Sequence, residues 1–207
     1  LGKQKVFVGS ETCASCHARE FEEWKGSHHD LSMQIADSVT VLGDFNNTTY
    51  TVTEIANAAF ENNQLTSVTI PSTVTKIGER AFKNNQLTGV TLPTNLTELG
   101  ASAFQTNQIA TISIPPNITV LKQNIFLVNQ LTSVTIPAAV TSIEGGAFNN
   151  NPITTFDVLA TTPPTIRSFS FSNPATIDVT VPVGTEAAYT AAGWNMFRTI
   201  NGITQFR

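Results

Sequence analysis

The chain contains two cysteines, Cys13 and Cys16, which are separated by two residues and followed directly by His17. The spacing Cys-x-x-Cys-His is the attachment signature of c-type haem. Each thiol can bond one vinyl group of the same macrocycle, and the imidazole then lies beneath the iron as the proximal ligand. The pentapeptide "CASCH" therefore predicts one covalently bound haem c with His17 on the iron.

Three other chemistries also use a pair of closely spaced cysteines. A zinc ion would need both thiols and two of the histidines, but His28 and His29 are adjacent, whereas a zinc finger separates its histidines by about three to five residues. A thioredoxin-like redox dithiol needs a βαβ context, which the sequence lacks. A local disulfide is the third alternative. The spacing favours haem over all three.

Two further histidines follow the pentapeptide. His28 and His29 lie in the stretch "HAREFEEWKGSHHDLSM", and together with His17 they are the only histidines of the chain. The stretch begins with a predicted helix, because Phe21 and Trp24 are three residues apart and share one face. Two imidazoles this soon after the pentapeptide are candidates for a second iron ligand.

This part of the sequence resembles the haem-binding segments of multihaem c-type cytochromes. The similar stretch is "FVGSETCASCHAREFEEWKGSHHDLSMQIA", and in that family a Cys-x-x-Cys-His helix leads to a Trp and a Ser-x-His motif. The resemblance implies that Cys13 and Cys16 are the thioether anchors and that His17 is the proximal ligand. It also implies that Trp24 packs near the macrocycle.

The sixth position of the iron has three candidate ligands. Because Ser27-His28-His29 matches the Ser-x-His motif, the resemblance implies His29 as the distal ligand, with His28 second and Met33 a weaker third. Members of that family usually carry several Cys-x-x-Cys-His motifs, whereas this chain has one. His29 binds its own haem, or it reaches a haem in another protomer, or the sixth position stays open. The sequence leaves these three arrangements open.

Most of the remaining chain repeats every 22 residues. Four positions keep that interval in register: Phe60, Phe82, Phe104, Phe126 and Phe148; Asn63, Asn85, Asn107, Asn129 and Asn151; Ile55, Ile77, Leu99, Leu121 and Ile143; Pro71, Pro93, Pro115 and Pro137. A period of this length is typical of leucine-rich repeats. No single coil can bury its apolar face alone, so the repeats predict a stacked solenoid.

Within one repeat, the stretch "LTSVTIP" predicts a short strand. Val68 and Ile70 alternate with Ser67 and Thr69, so one face is apolar and the other polar. Pro71 ends the strand because it cannot donate to a sheet ladder. The repeated Phe side chains are expected to stack, and each repeated Asn is expected to turn inward and bond the loop backbone of adjacent coils, since buried polar groups need partners.

The repeats resemble the BspA-type leucine-rich repeats of bacterial surface proteins, whose pattern includes "IGxxAFxxN" and "LTxVxIP". The similar stretch runs from Val52 to about Val158, and residues 159–173 depart from the period. The tail, residues 179–200, is similar to the closing segment of that family. It implies a last strand and a short helix, after which Trp194 and Phe197 cover the end of the core.

The predicted fold is therefore a leucine-rich-repeat solenoid of five coils, preceded by a small helical segment like that of a c-type cytochrome. The expected domains are a haem-binding segment over residues 1–45 and a solenoid over residues 46–207, with a C-terminal cap from about residue 179. The haem segment is placed to cover the first coil, where apolar side chains would otherwise meet water.

Composition excludes several classes of partner. The net charge is −4 and no Lys/Arg cluster is present, so nucleic acid is not expected. No apolar run approaches the roughly 18 residues of a membrane span. Covalent haem attachment takes place outside the cytoplasm, so the expected location is extracytoplasmic: periplasmic, cell-surface or secreted.

These features predict an electron-transfer cytochrome rather than an enzyme, because two histidine ligands leave no open iron position. Five coils at about 4.8 Å each put the far end of the solenoid roughly 25 Å away, and electron tunnelling falls exponentially with distance. A redox partner protein or a neighbouring protomer is therefore expected at the N-terminal end, and a head-to-tail contact would give an oligomer or filament. The competing hypothesis is a non-redox surface adhesin or structural protein, with the Cys-x-x-Cys-His segment as a cap or metal site.

Overall fold

The computed structural model describes residues 51–203, which form ten short strands, one α-helix and two 3₁₀ helices. The elements are β1 (Glu54–Ile55), β2 (Lys76–Ile77), β3 (Glu98–Leu99), β4 (Val120–Leu121), β5 (Ser133–Ile136), β6 (Ser142–Ile143), β7 (Thr155–Val158), β8 (Thr165–Ile166), β9 (Asp178–Pro182), α1 (Glu186–Ala191) and β10 (Thr199–Ile203), with 3₁₀ helices at Pro174–Thr176 and Trp194–Met196. All strand pairs are parallel. The described chain is a β-solenoid.

The strands form three ladders that run along the stack. They are ordered β1-β2-β3, β4-β6-β8 and β10-β9-β7-β5. In the first ladder Ile55 pairs with Ile77 and Ile77 with Leu99, so each coil is displaced by one 22-residue repeat. The solenoid predicted from the repeat is confirmed.

A column of phenylalanine rings fills the centre of the stack. The ring centroids of Phe60, Phe82, Phe104, Phe126 and Phe148 follow one another at 5.2, 5.4, 5.8 and 5.8 Å, and consecutive ring planes lie within 16° of parallel. The four inner rings are 0–1% exposed. Aromatic pairs at such distances add about 0.5–1.5 kcal/mol each beyond the area that they bury. The predicted stack is confirmed.

The stack contains one coil more than the five that the period predicts. This sixth coil has 23 residues, since Ser142 pairs with Thr165 and Ile143 with Ile166. Phe171 then lies 23 residues after Phe148 and continues the column at 5.5 Å. With the closing segment, the solenoid makes about seven turns. The extra residue shifts the repeated positions of this coil by one, so a strict 22-residue period does not predict them.

The strand predicted in "LTSVTIP" is absent as a hydrogen-bonded ladder from the first three coils. It forms only from β5 onward, where Ser133–Ile136 pairs fully with Thr155–Val158. The predicted alternation still holds in the first coil, where Ile70 is buried and Thr69 exposed. In the second coil this stretch contains Gly89, and glycine is unfavourable in strands. Because a strand there would have to pair with both the first and the third coil, Gly89 weakens the ladder on both sides.

The C-terminal end of the core is closed as the sequence predicts. The helix α1 ends before Gly193, whose φ of 89° is accessible to glycine at little cost. Trp194 is 0% exposed and its indole N–H donates to the carbonyl of Pro164 at 3.1 Å. The hydroxyl of Tyr189 donates to the carbonyl of Ala160 at 2.6 Å. The polar groups of both large side chains are thus satisfied while their rings cover the stack.

Candidate functional site

The predicted haem site lies outside the described residues. Its members are Cys13, Cys16, His17, Trp24, His28 and His29, with Met33 as the further ligand candidate. The domain boundary near residue 45 lies outside them as well. All of these assignments therefore stay predictions.

The scaffold from residue 51 to residue 203 holds no group of three or more His, Cys, Asp or Glu side chains arranged to bind a metal ion. In the sequence, every Cys and His precedes residue 30. The thiol and imidazole groups of the chain are therefore all near the start of the sequence. Over the same described residues, no helix has the length and apolar character needed to cross a membrane.

The repeated asparagines hold consecutive coils of the solenoid together. The side-chain amide of Asn85 donates to the carbonyls of Phe60 and Phe82 at 2.7 and 3.1 Å, and its oxygen accepts the amide of Leu65 at 3.0 Å. Asn107, Asn129 and Asn151 repeat this pattern. Each asparagine thus joins its own coil to the preceding one. The predicted inward orientation is confirmed for these four, whereas Asn63 in the first coil is exposed and donates to the carbonyl of Glu61 at 3.2 Å.

The asparagine ladder ends at the sixth coil because Pro174 occupies the position 23 residues after Asn151. Proline has no side-chain amide, so it cannot accept the amide of Ile153 as Asn151 accepts that of Leu131 at 3.0 Å. A half-open cavity of about 260 Å³ lies near this break, and its lining includes Asn151, Ile153, Phe171, Asn173 and Ile177. The sequence signal was the replacement of Asn by Pro.

One polar side of the later coils carries hydroxyl and carboxylate groups in rows. Register places Thr135 beside Asp157, Asp157 beside Thr180, and Thr180 beside Asn201. Thr180 donates to the Asp157 carboxylate. These groups bond one another on a partly exposed face, which is the arrangement of a solvated sheet surface.

Asp178 is held in an ion pair on the same face. The guanidinium Nε of Arg198 donates to its Oδ1 at 2.7 Å, and the hydroxyl of Thr199 donates to that oxygen at 2.7 Å. The Arg198 hydrogen bonds, followed by that of Thr199, lower the pKa of Asp178 to about 2. The carboxylate is therefore ionised at all physiological pH values and fixed to the closing strand.

A row of alternating charges follows another edge of the solenoid. Lys76 Nζ lies 3.1 Å from Glu54 Oε1 and 3.8 Å from Glu98 Oε2, and Lys122 Nζ lies 2.7 Å from Glu98 Oε1. The hydrogen bond from Lys122 lowers the pKa of Glu98. Exposed pairs of this kind contribute little to stability, because water and salt screen them. The row neutralises itself and presents no single-sign surface to a partner.

Each of the first five coils turns through two residues with left-handed backbone and the sixth coil through one, a feature that sequence reasoning missed. The first position is held by Ala58, Arg80, Ser102, Asn124, Gly146 and Phe169, and the second by Asn62, Asn84, Thr106, Val128 and Asn150. Val128, at φ 58°, and Phe169, at φ 61°, are also exposed hydrophobic residues. The second position is mostly Asn, the residue that tolerates this backbone best after glycine. The recurrence of Asn at this position is the sequence pattern that indicates the left-handed turn.

A parallel solenoid with a phenylalanine column and an asparagine ladder defines a leucine-rich-repeat protein. The family model of the BspA type leucine-rich repeat region matches residues 53–182 in six copies, and the chain belongs to this family.

Among solved structures, the chain is similar to a leucine-rich repeat protein from Eubacterium ventriosum ATCC 27560. The two are 22% identical, with a TM-score of 0.46, over 73% of this chain and 45% of that one. The chain thus spans less than half the length of that protein. No curated protein matches the chain significantly in sequence.

Proposed function

We propose that the chain is an extracytoplasmic c-type cytochrome for electron transfer, with one haem c held in front of a leucine-rich-repeat scaffold. The observation that carries the proposal is the pentapeptide formed by Cys13, Cys16 and His17. Its donor set fits the group, since two thiols can form both thioether bonds and one imidazole can bind iron. Bound haem would supply reversible one-electron exchange at its iron.

The residues of the segment divide this work among them. Cys13 and Cys16 hold the macrocycle, and His17 binds the iron from the proximal side. His29 is proposed as the second axial ligand, with His28 and then Met33 as alternatives. Trp24 packs beside the macrocycle. A second protein ligand closes the iron to small substrates, which is why electron transfer is proposed rather than catalysis.

In this proposal, electron exchange with a partner takes place at one end of the scaffold. A redox partner protein, or a neighbouring protomer of an oligomer or filament, would approach the N-terminal end, because the far coils lie beyond tunnelling distance. BspA-type repeat proteins are often associated with the cell surface. That tendency and the site of covalent haem attachment both support an extracytoplasmic location.

The test is a pyridine haemochrome spectrum of protein matured in its native compartment. Redox-sensitive Soret and α bands are expected, together with a mass one haem greater than that of the polypeptide. The double substitution Cys13→Ala and Cys16→Ala removes both, whereas Asn117→Ala, an exposed change on the scaffold, retains both. Absence of the bands in the native protein would exclude the cytochrome.

The axial ligand has its own test in the haem-bound protein. His29→Ala is expected to abolish the low-spin signal of the iron, and His28→Ala is expected to keep it. The reverse result would assign the ligand to His28. Retention in both variants would favour Met33 or a ligand from another protomer.

The second candidate function is a non-redox surface adhesin or structural repeat protein. Membership of the BspA-type family favours it, as does the hydroxyl-bearing face of the later coils. In this case the Cys-x-x-Cys-His segment is a cap or a metal site. One zinc ion per chain without haem bands would support this function and exclude electron transfer.

A further inference from the structure

Each inner asparagine of the ladder binds three backbone groups with one primary carboxamide. The side-chain oxygen of Asn129 accepts the amide of Ile109 at 3.0 Å. Its side-chain nitrogen donates to the carbonyls of Phe104 and Phe126 at 2.9 and 3.2 Å. The next asparagine on either side binds its own three groups at 2.8–3.2 Å. The backbone of two consecutive coils therefore forms a receptor for one carboxamide.

The same three backbone groups recur between the fifth and the sixth coil. They are the amide of Ile153 and the carbonyls of Phe148 and Phe171, each one repeat after a group that Asn151 binds. The sixth coil has Pro174 at the position of the asparagine, and a proline side chain has neither a donor nor an acceptor. The receptor is thus repeated at this junction without the carboxamide that fills it elsewhere.

The residues that carry these three groups line one cavity, the half-open cavity of about 260 Å³ near Pro174. Phe148, Ile153 and Phe171 are 1%, 5% and 7% exposed, and buried backbone groups are almost always paired. A carbonyl oxygen has two lone pairs, so Phe148 can accept a further donor beside Asn151. The same cavity has apolar walls, since the two phenylalanines and Ile177 also line it.

We propose that this cavity binds a small molecule that carries a primary carboxamide on an apolar body. The carboxamide oxygen accepts the amide of Ile153, and its nitrogen donates to the carbonyls of Phe148 and Phe171. The apolar body packs on the side chains of the lining. A carboxylate of the same shape has no donor for the two carbonyls, so the site selects against it. This inference goes beyond electron transfer and does not depend on haem.

An NMR titration of the full chain with benzamide tests the site, because benzamide joins a primary carboxamide to an apolar ring. The backbone amide resonance of Ile153 is expected to move downfield and to saturate, since this amide gains an acceptor. Benzoate and acetophenone are the matched controls, because each keeps an acceptor oxygen and lacks the N–H donors. Each control should bind about tenfold more weakly or worse, because the hydrogen bonds to the two carbonyls are lost.

Two substitutions at Pro174 test whether the ladder defines the site. Pro174→Asn supplies a carboxamide from the sixth coil itself. It is expected to shift the Ile153 resonance in the absence of benzamide and to weaken benzamide binding by about tenfold or more. Pro174→Ala removes the same ring without adding a hydrogen-bonding group, so benzamide binding should be retained.

Three results would overturn the proposal. An Ile153 resonance that shows no saturable response to benzamide would mean that this amide does not bind a carboxamide. Equal affinity for benzamide and either control would make the cavity an unselective apolar recess. Equal benzamide binding by folded Pro174→Asn and Pro174→Ala proteins would show that the site is not the one that the ladder defines. If Pro174→Asn fails to fold, the comparison of benzamide with its two controls on the unaltered protein still decides.

Discussion

Val128 is the residue whose replacement tests the backbone argument most directly. It has φ 58° and is 39% exposed, and it stands where three other coils have Asn62, Asn84 or Asn150. A β-branched residue in the left-handed region is a genuine outlier. We expect Val128→Asn to stabilise the protein.

The magnitude follows from two contributions and one loss. The left-handed backbone costs an L-residue about 1–2 kcal/mol, and Asn reduces that cost because its short side chain bonds locally. In the first two coils, Asn84 Nδ2 donates to Asn62 Oδ1 at 2.7 Å. An Asn at position 128 would occupy the equivalent position next to Asn150 and can form the same kind of hydrogen bond. Part of the apolar contact of the Val side chain is lost. The net gain is expected to be about 1 kcal/mol.

Thermal and urea unfolding of the full chain measure this gain. For a chain of this size, about 1 kcal/mol corresponds to a rise in Tm of roughly 2–4 °C. The reverse change, Asn150→Val, is the matched control and should lower Tm by a similar amount. The urea m value should not change, because neither substitution alters the surface exposed on unfolding.

Two results would refute the reasoning. If Val128→Asn is neutral or destabilising while Asn150→Val is neutral, the left-handed position carries no strain that side-chain type can relieve. If Val128→Asn destabilises and Asn150→Val also destabilises, side-chain packing at each site outweighs the backbone, and the repeat positions are not equivalent.

Three further predictions concern the contacts between coils. Gly100→Ala should destabilise the protein by about 1–3 kcal/mol, because a Cβ there would lie 2.3 Å from the backbone nitrogen of Glu79. Gly89→Ala is the control and should not destabilise, because nothing lies within 4 Å of a Cβ at that position. Urea unfolding of the two variants makes the comparison. Asn107→Ala should cost about 1–3 kcal/mol, since it leaves the buried amide of Leu87 without an acceptor, whereas the Phe82 carbonyl keeps the side-chain amide of Asn85 as a donor. The exposed Asn117→Ala should be nearly neutral in the same assay. Asp178→Asn should destabilise at neutral pH. A pKa lowered from 3.8 to about 2 stabilises the fold above about pH 4, and that contribution is lost as pH falls toward 2, so equal losses at pH 7 and pH 2 in acid unfolding would contradict the ion pair.

The 22-residue period was sufficient to predict the centre of the fold. The spacing of the phenylalanines required a stack, and the spacing of Asn85 and its equivalents required an inward amide, because a polar side chain repeated among apolar ones must find backbone partners. The closing function of Trp194 was also predictable, since a large apolar side chain after the last repeat has only the end of the core to cover.

Other features depend on interactions that a period does not specify. A single inserted residue displaced Phe171 from the expected position, although it kept its function in the column. A hydrogen-bonded ladder between the "LTSVTIP" stretches of two coils requires both stretches to favour a strand, and Gly89 lowers that tendency in the second coil. Thr75 and Thr97 each donate a side-chain hydroxyl to the carbonyl of the Thr one coil earlier, and that row was overlooked because threonine is common throughout the chain. Residues 1–45, where the haem site is predicted, contain no internal repeat from which their placement could be derived.

The position of Pro174 limits how the protein can change in length. Upstream of it, consecutive coils meet through the same asparagine and phenylalanine contacts, so gaining or losing one 22-residue unit through recombination would recreate interfaces that already exist. Downstream, an added coil would face a proline in place of an amide and would lack that bond. Related solenoids of different length should therefore differ in the number of coils before this proline, and their closing segments should stay the same.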